Sequence, residues 1–264
     1  MPSAEQRAGD VEPAQYRVST VLLVWAAAAL PMGVLGWVVA PALAGSEHAA
    51  IVRLATLTVG LVWQAALVLI LLRREAGTLS WKTIARRLWL GAPRSPTTGQ
   101  PQARLWWWLV PALVAVAVFD LVLAGPIGRA WVALLPMLAE PPGFSMTGLL
   151  ATPEARAQLH GEWSFLAVFF VQAIFNTVIG EEMLFRGLLL PRMARAFGKW
   201  DWVANGLLFG LYHLHQPWGM VNSALKGVLC LALPSRRFRC AWFGIAAHSG
   251  QSAYLLILIT ALVL

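Results

Sequence analysis

The feature that most constrains this chain is a succession of apolar stretches about as long as a bilayer is thick. A transmembrane helix needs about 20 mostly apolar residues. Residues 20–43, 50–72 and 105–124 supply that length, and the last opens on Trp106, Trp107 and Trp108, which suit a membrane interface. Residues 165–190 are long enough but carry Glu181, Glu182 and Arg186. The stretches 202–215 and 218–233 are shorter and separated by Gln216-Pro217, and 241–264 follows. Composition agrees: 59% of residues are hydrophobic and only 12% charged, against about 25% charged in an ordinary globular chain. Charge at half the usual density cannot coat a soluble surface. A soluble α/β enzyme and a disordered chain are thereby excluded, and two cysteines, Cys230 and Cys240, are too few for a disulfide scaffold. The expected fold is all-α, a polytopic bundle of about seven transmembrane helices. The stretch 130–138 is too short to span and is expected as an interfacial helix.

The formal net charge of +8 would direct a soluble protein toward nucleic acid. In a membrane protein its meaning depends on sidedness. With the N-terminus in the cytoplasm, fifteen of the 20 lysines and arginines fall in four cytoplasmic segments. These are the tail 1–18, the linker 73–104, the stretch with Arg192, Arg195 and Lys199, and the turn with Arg236, Arg237 and Arg239. Only Arg129 and Arg156 fall in outer loops. This is the positive-inside pattern; it predicts N-terminus in and C-terminus out, and no nucleic-acid partner is implied. A cleaved signal peptide is not expected, because the first apolar stretch is too long for one. Four parts follow: the tail 1–18, a two-helix membrane part 19–103 with the basic loop 73–104, a third helix and outer loop 104–163, and a core at 164–264. The linker, with its Gly, Pro, Ser and Thr residues at 91–102, reads as a solvated loop beside anionic lipid.

Ionisable residues within a span cost a few kcal/mol each on insertion scales and default to a functional hypothesis. Here they concentrate in the last third: Glu181, Glu182, Arg186, His213, His215 and His248, with Asp120 and Lys226 besides. Glu182 and Arg186 lie about 40° apart on one helical face, in the order that favours an ion pair. Mutual neutralisation in lipid is the preferred reading for these two. Glu181 lies about 140° from Arg186 around an α-helix, so the same arginine does not neutralise it from the same side. A carboxylate without its own counter-charge in a low-dielectric span is a candidate general base; a pore or structural carboxylate is the alternative. His213 is either part of such a site or a hydrogen-bonded structural residue. His215 points to another face and reads as a residue at the mouth of a site or at an interface. His248, Gln251 and Ser252 form one stripe that could line a cavity where negative charge develops or bond neighbouring helices. Together these residues make a minimal water-activating site. They could also ligate zinc, but no HExxH occurs, and metal-free general-base hydrolysis without a cofactor is preferred.

The residues from Glu181 to Arg186 resemble the EExxxR motif of the CPBP family, the CAAX prenyl endopeptidases and bacteriocin-processing Abi proteins. Phe209 to His213 is similar to its FxxxH motif, and His248 to Ser252 stands where the family carries HxxxN or a similar polar ending. Order and spacing agree over about 165–252, roughly a third of the chain. The resemblance implies a glutamate-dependent intramembrane endopeptidase with 164–264 as its catalytic core. It implies that Glu181 activates water with His213, that Glu182 and Arg186 hold their helix, and that His248 binds the oxyanion. Ser252 replaces the family's asparagine; it still donates a hydrogen bond but is shorter, and Gln251 or a water is the candidate to fill the gap. The implied substrate is a membrane-anchored protein or peptide. Short loops and 17 arginines against 3 lysines favour a bacterial cytoplasmic membrane. Two other classes compete: an Abi-type immunity or partner-binding protein, and a proton-coupled transporter, which the lack of an inverted repeat disfavours.

Overall fold

A computed structural model describes residues 13–44, 49–141, 144 and 160–264; the loop around Ser46, and Arg7 and Arg156, lie outside these. The described residues are helical, apart from turns and one isolated bridge between Arg94 and Pro101. In chain order the helices are α1 Val18–Leu43, α2 Ala49–Ala76, the short α3 Trp81–Arg87, α4 Ala103–Leu134, α5 Trp163–Arg192, α6 Asp201–Tyr212, α7 over 220–238 and α8 Trp242–Val263. Five of them (α1, α2, α4, α5 and α8) are long and apolar enough to cross a membrane. Large apolar side chains such as Leu23, Leu121 and Ile257 face outward, whereas Glu181, Glu182, Arg186 and His248 are buried. That is the reverse of a soluble protein, as lipid requires.

The remaining two apolar stretches differ from full spans. Helix α6 has 12 residues and rises about 18 Å, well short of a hydrocarbon core of about 30 Å. It therefore stops inside the bundle, and the chain turns through the 3-10 segment Pro217–Gly219 to return as α7. Close approach of the two helices depends on Gly206 and Gly210, where a Cβ would collide with the backbone of Val228 and Ala224.

Prolines do not end these helices, and the reason is local. The π turns Leu35–Val39, Phe119–Leu123, Met183–Leu189 and Gly227–Ala232 each end two or three residues before a proline: Pro41, Pro126, Pro191 and Pro234. Proline lacks an N–H and its ring displaces the carbonyl one turn back; a widened turn absorbs both effects. Helix α4 accordingly runs through Gly125-Pro126 to Leu134. Residues 130–134 are its last turn and Pro136–Leu138 is a single 3-10 turn, where the sequence predicts a separate interfacial helix.

The basic segments gather at one end of the bundle. There the Glu75 carboxylate accepts from Arg192 Nη2 at 2.7 Å, with Arg87 at 3.6 Å and the Tyr16 hydroxyl beside it. Arg236 pairs with Asp201 at 2.7 Å. The linker 73–104 is solvated only in part: residues 96–101 are exposed as its composition predicts, whereas the stretch around 88–90 packs onto the bundle. Leu88 is fully buried against Gly187, Trp89 O accepts from Ala241 N, and Arg94 N donates to Phe238 O. Its apolar residues Leu88, Trp89 and Leu90 sit between Gly/Pro-rich and basic stretches and pull it onto the bundle.

Candidate active site

The fifth π turn, Phe175–Gly180, precedes no proline; it runs directly into Glu181 and Glu182, and the next π turn begins at Met183. Both carboxylates thus sit at a junction between widened turns, a distortion that recurs at functional sites. Glu181 lies eleven residues from the Arg192 end of α5, or about 16 Å at the helical rise. Helix α6 reaches the same depth from the same end, so His213, which caps its C-terminus, arrives beside the pair. His248 enters from the first turns of α8.

Glu182 is fully buried, and its Oε1 accepts from Arg186 Nη1 at 2.9 Å and from His248 Nδ1 at 3.0 Å. The ion pair predicted from i, i+4 spacing is present. Arg186 in turn donates from Nη2 to Gly227 O at 3.3 Å and lies over the Phe209 ring, 4.2 Å from its centroid. The guanidinium therefore joins α5, α6 and α7. Helix α8 approaches closely because residue 244 is glycine: a Cβ there would stand 2.5 Å from Glu182 Oε2.

Glu181, 3% exposed, has a different shell. With its amide nitrogen turned to the carboxylate, Asn176 donates to Oε1 at 2.9 Å and to Oε2 at 3.2 Å. The Tyr212 hydroxyl also faces this carboxylate, and accepts from Gln64 Nε2 on α2 at 2.6 Å. No lysine, arginine or histidine forms a salt bridge with Glu181 among the described residues. The separation of Glu181 from Arg186 expected from spacing is thus realised as a difference in partners.

His213 Nδ1 lies 2.8 Å from Phe209 O. A carbonyl can only accept, so Nδ1 carries the proton and Nε2 of the neutral ring keeps its lone pair. The same logic places a proton on His248 Nδ1, which faces the Glu182 carboxylate. Both imidazoles are fixed by one nitrogen, and the other is left for chemistry.

These groups share one cavity of about 280 Å³, lined by Glu181, Asn176, His213, His215, Lys226, His248, Gln251 and Ser252 among others. The stripe His248, Gln251 and Ser252 lines the cavity, and His248 and Gln251 also bond neighbouring helices, so both readings of its spacing apply. His215 is buried, 5.5 Å from His213 in a near-parallel ring contact, and belongs to the cavity wall. Gln251 is already engaged, since its Oε1 accepts from Lys226 Nζ at 2.7 Å; Lys226 also contacts Asp120 Oδ1 at 3.1 Å. Glu182 and Arg186 stand behind the cavity, holding His248. Sequence reasoning missed Asn176, Tyr212 and Gln64. The first precedes Glu181 by five residues, on the opposite side of an α-helix but not of a π turn; the last comes from a distant helix and left no signal.

Residues 162–254, roughly a third of the chain, match the family model described as Type II CAAX prenyl endopeptidase Rce1-like. No curated protein and no solved structure matches the chain. The matched segment spans all three motifs, from before Glu181 to beyond Ser252. With its glutamate pair and two histidines brought together from α5, α6 and α8, this segment is similar to the CAAX prenyl endopeptidases.

Proposed function

We propose that the chain is an intramembrane endopeptidase in which Glu181 is the general base and no metal takes part. The observation that carries this is the unequal treatment of two adjacent buried carboxylates. Glu182 is spent on Arg186 and His248, whereas Glu181 meets only neutral donors and faces the cavity. A water between Glu181 and His213 Nε2 would lose a proton to the carboxylate while its oxygen attacks the scissile carbonyl. The carbonyl oxygen takes the negative charge, and collapse breaks the C–N bond as Glu181 returns the proton to the leaving amine. Metal independence is supported by the donor set: among the described residues no three His, Cys, Asp or Glu side chains are grouped to hold a metal ion.

The substrate is a protein or peptide held in the membrane, since the cavity is lined mainly by helices long and apolar enough to span one, and the setting is a bacterial cytoplasmic membrane. The test uses the full chain in detergent with two quenched CAAX-box peptides, one farnesylated and one acylated. Wild type is expected to cleave at least one of them, with Glu181→Gln inactive and a chelator without effect. Cleavage by Glu181→Gln at the wild-type rate would overturn the glutamate assignment. Failure of wild type on both peptides would overturn the peptidase reading in favour of a non-catalytic membrane partner.

A further inference from the structure

We infer that Lys226 is a catalytic residue of this site, supplying the oxyanion donor at the place where the family's asparagine is replaced by Ser252. The inference rests on the peptidase reading above. Lys226 comes from α7, in the wall of the cavity that holds Glu181, His213, His248 and Ser252. Its ammonium is near enough to interact electrostatically with both histidines and with Glu181. Two of its three N–H bonds are accounted for, by Asp120 Oδ1 at 3.1 Å and Gln251 Oε1 at 2.7 Å. The third has no partner among the described residues and can serve a ligand. A lysine in a span is costly, and one carboxylate and one amide offset that cost while leaving the head group in the cavity wall.

The need for such a donor follows from His248. Its Nδ1 proton is committed to Glu182, so the neutral ring presents a lone pair at Nε2 and cannot donate to an oxyanion. It donates only as an imidazolium. Lysine donates without that condition, and a cation suits a developing negative charge better than the neutral serine hydroxyl. In the addition step the carbonyl π pair moves to oxygen and the new alkoxide accepts from Lys226 Nζ; no proton transfer from lysine is needed, and the bonds are released on collapse.

Lys226→Met is expected to lower kcat about 100- to 1,000-fold with KM nearly unchanged, the loss typical of a missing oxyanion donor. Ser252→Asn in that background should recover activity by about tenfold or more, which a merely structural lysine would not allow. Lys226→Arg keeps the charge and the Asp120 pair and serves if the methionine variant does not fold. An arginine variant that folds but has lost kcat to a similar degree supports the inference, because it misplaces the donor. A kcat within about threefold of wild type for Lys226→Met, or no rescue by asparagine, would overturn it. Glu181→Gln run alongside separates the two readings: inactive glutamine with active methionine sinks only the lysine role, and active glutamine sinks the base.

A second inference rests on other residues. At the basic end a cavity of about 340 Å³ is lined by Lys199, Arg236, Arg237 and Arg239. Asp201 pairs with Arg236, and the other three have no carboxylate partner among the described residues. Arg237, Pro96 and Leu233 are shared with an adjoining apolar groove of about 530 Å³ between α4 and α7, floored by Trp108, Ala112 and Leu229. Cations beside an apolar groove match the head group and acyl chain of an anionic phospholipid, and we propose that one is bound there. Native mass spectrometry of the protein in vesicle-derived nanodiscs of phosphatidylglycerol and phosphatidylcholine should show selective retention of phosphatidylglycerol. The triple variant Lys199→Ser, Arg237→Ser, Arg239→Ser should lose the selectivity, and Ala112→Trp should lose retention by filling the groove. Equal retention of both lipids by wild type, or unchanged selectivity in both variants, would overturn the site.

Discussion

His248 Nδ1 donates to Glu182 Oε1 at 3.0 Å, tying α8 to α5 through the same oxygen that takes Arg186 Nη1 at 2.9 Å. One carboxylate atom therefore serves two ends: it neutralises a fully buried guanidinium and sets the imidazole of a cavity residue. Glu182→Gln keeps the size of the side chain but removes the charge from both partners. We expect kcat to fall about 10- to 100-fold, as when an orienting carboxylate behind a functional histidine is lost. Glu182→Ala should in addition destabilise the fold by about 3–5 kcal/mol, because Arg186 is left as an uncompensated buried charge. Steady-state cleavage and detergent thermal unfolding separate the two effects; a stable, fully active Glu182→Gln would contradict the orienting role.

Tyr212 stands between Gln64 and Glu181. Tyr212→Phe removes the hydroxyl that faces the carboxylate and leaves Gln64 Nε2 without its 2.6 Å acceptor. The expected result is a kcat about tenfold lower with KM little changed, the scale of one lost hydrogen bond. Gln64→Leu should lower kcat less, because the hydroxyl remains. A pH–rate profile with the same midpoint in Tyr212→Phe and wild type would show that Tyr212 does not act on Glu181.

Gly244 fixes how near α8 comes to the glutamates. A methyl group there would meet Glu182 Oε2 at 2.5 Å and Arg186 Cγ at 3.0 Å, and a buried, doubly bonded carboxylate cannot swing away cheaply. Gly244→Ala should cost about 1–3 kcal/mol of stability and depress cleavage by shifting His248. Gly219→Ala is the control, since nothing lies within 4 Å of its Cβ position. Equal melting temperatures for the two variants would show that α8 is free to shift.

The difference between Glu182 and Glu181 marks where sequence reading succeeds. Four-residue spacing on one helix places Glu182 and Arg186 together, and the structure pairs them. The bundle class and the approximate spans were legible too, because lipid leaves no choice about where charge goes. What could not be read depended on departures from ideal helices or on contacts across the chain. Asn176 reaches Glu181 only because a π turn intervenes. Lys226, Asp120 and Gln251 each stood out as polar residues in spans, but their meeting needs the packing of α4, α7 and α8. Continuation of α4 past Gly125-Pro126 was hidden for the same reason as Asn176: hydropathy counts residues and is blind to the widened turn.

At the basic end, two residues outside the spans link stability to alkaline pH. Burial, with the bond to Glu75, holds the Tyr16 hydroxyl above its ordinary value of 10.0, and burial raises the Cys240 thiol from 9.0 to about 11. Each group stays protonated in the fold at a pH where the unfolded chain ionises. The folded state then binds more protons than the unfolded state, so stability falls as pH rises. For Cys240 the contribution is complete below pH 9.0 and lost by about 11; for Tyr16 the loss begins near 10.0. Cys240→Ser retains a donor for Gly91 O, which the thiol meets at 3.3 Å, and does not titrate there. Its melting temperature in reducing detergent buffer should fall less steeply than wild type between those values. Tyr16→Phe should flatten the curve only above pH 10. Parallel curves for wild type and Cys240→Ser would mean that the thiol ionises freely in the folded protein and that the junction of α7 and α8 is open to water.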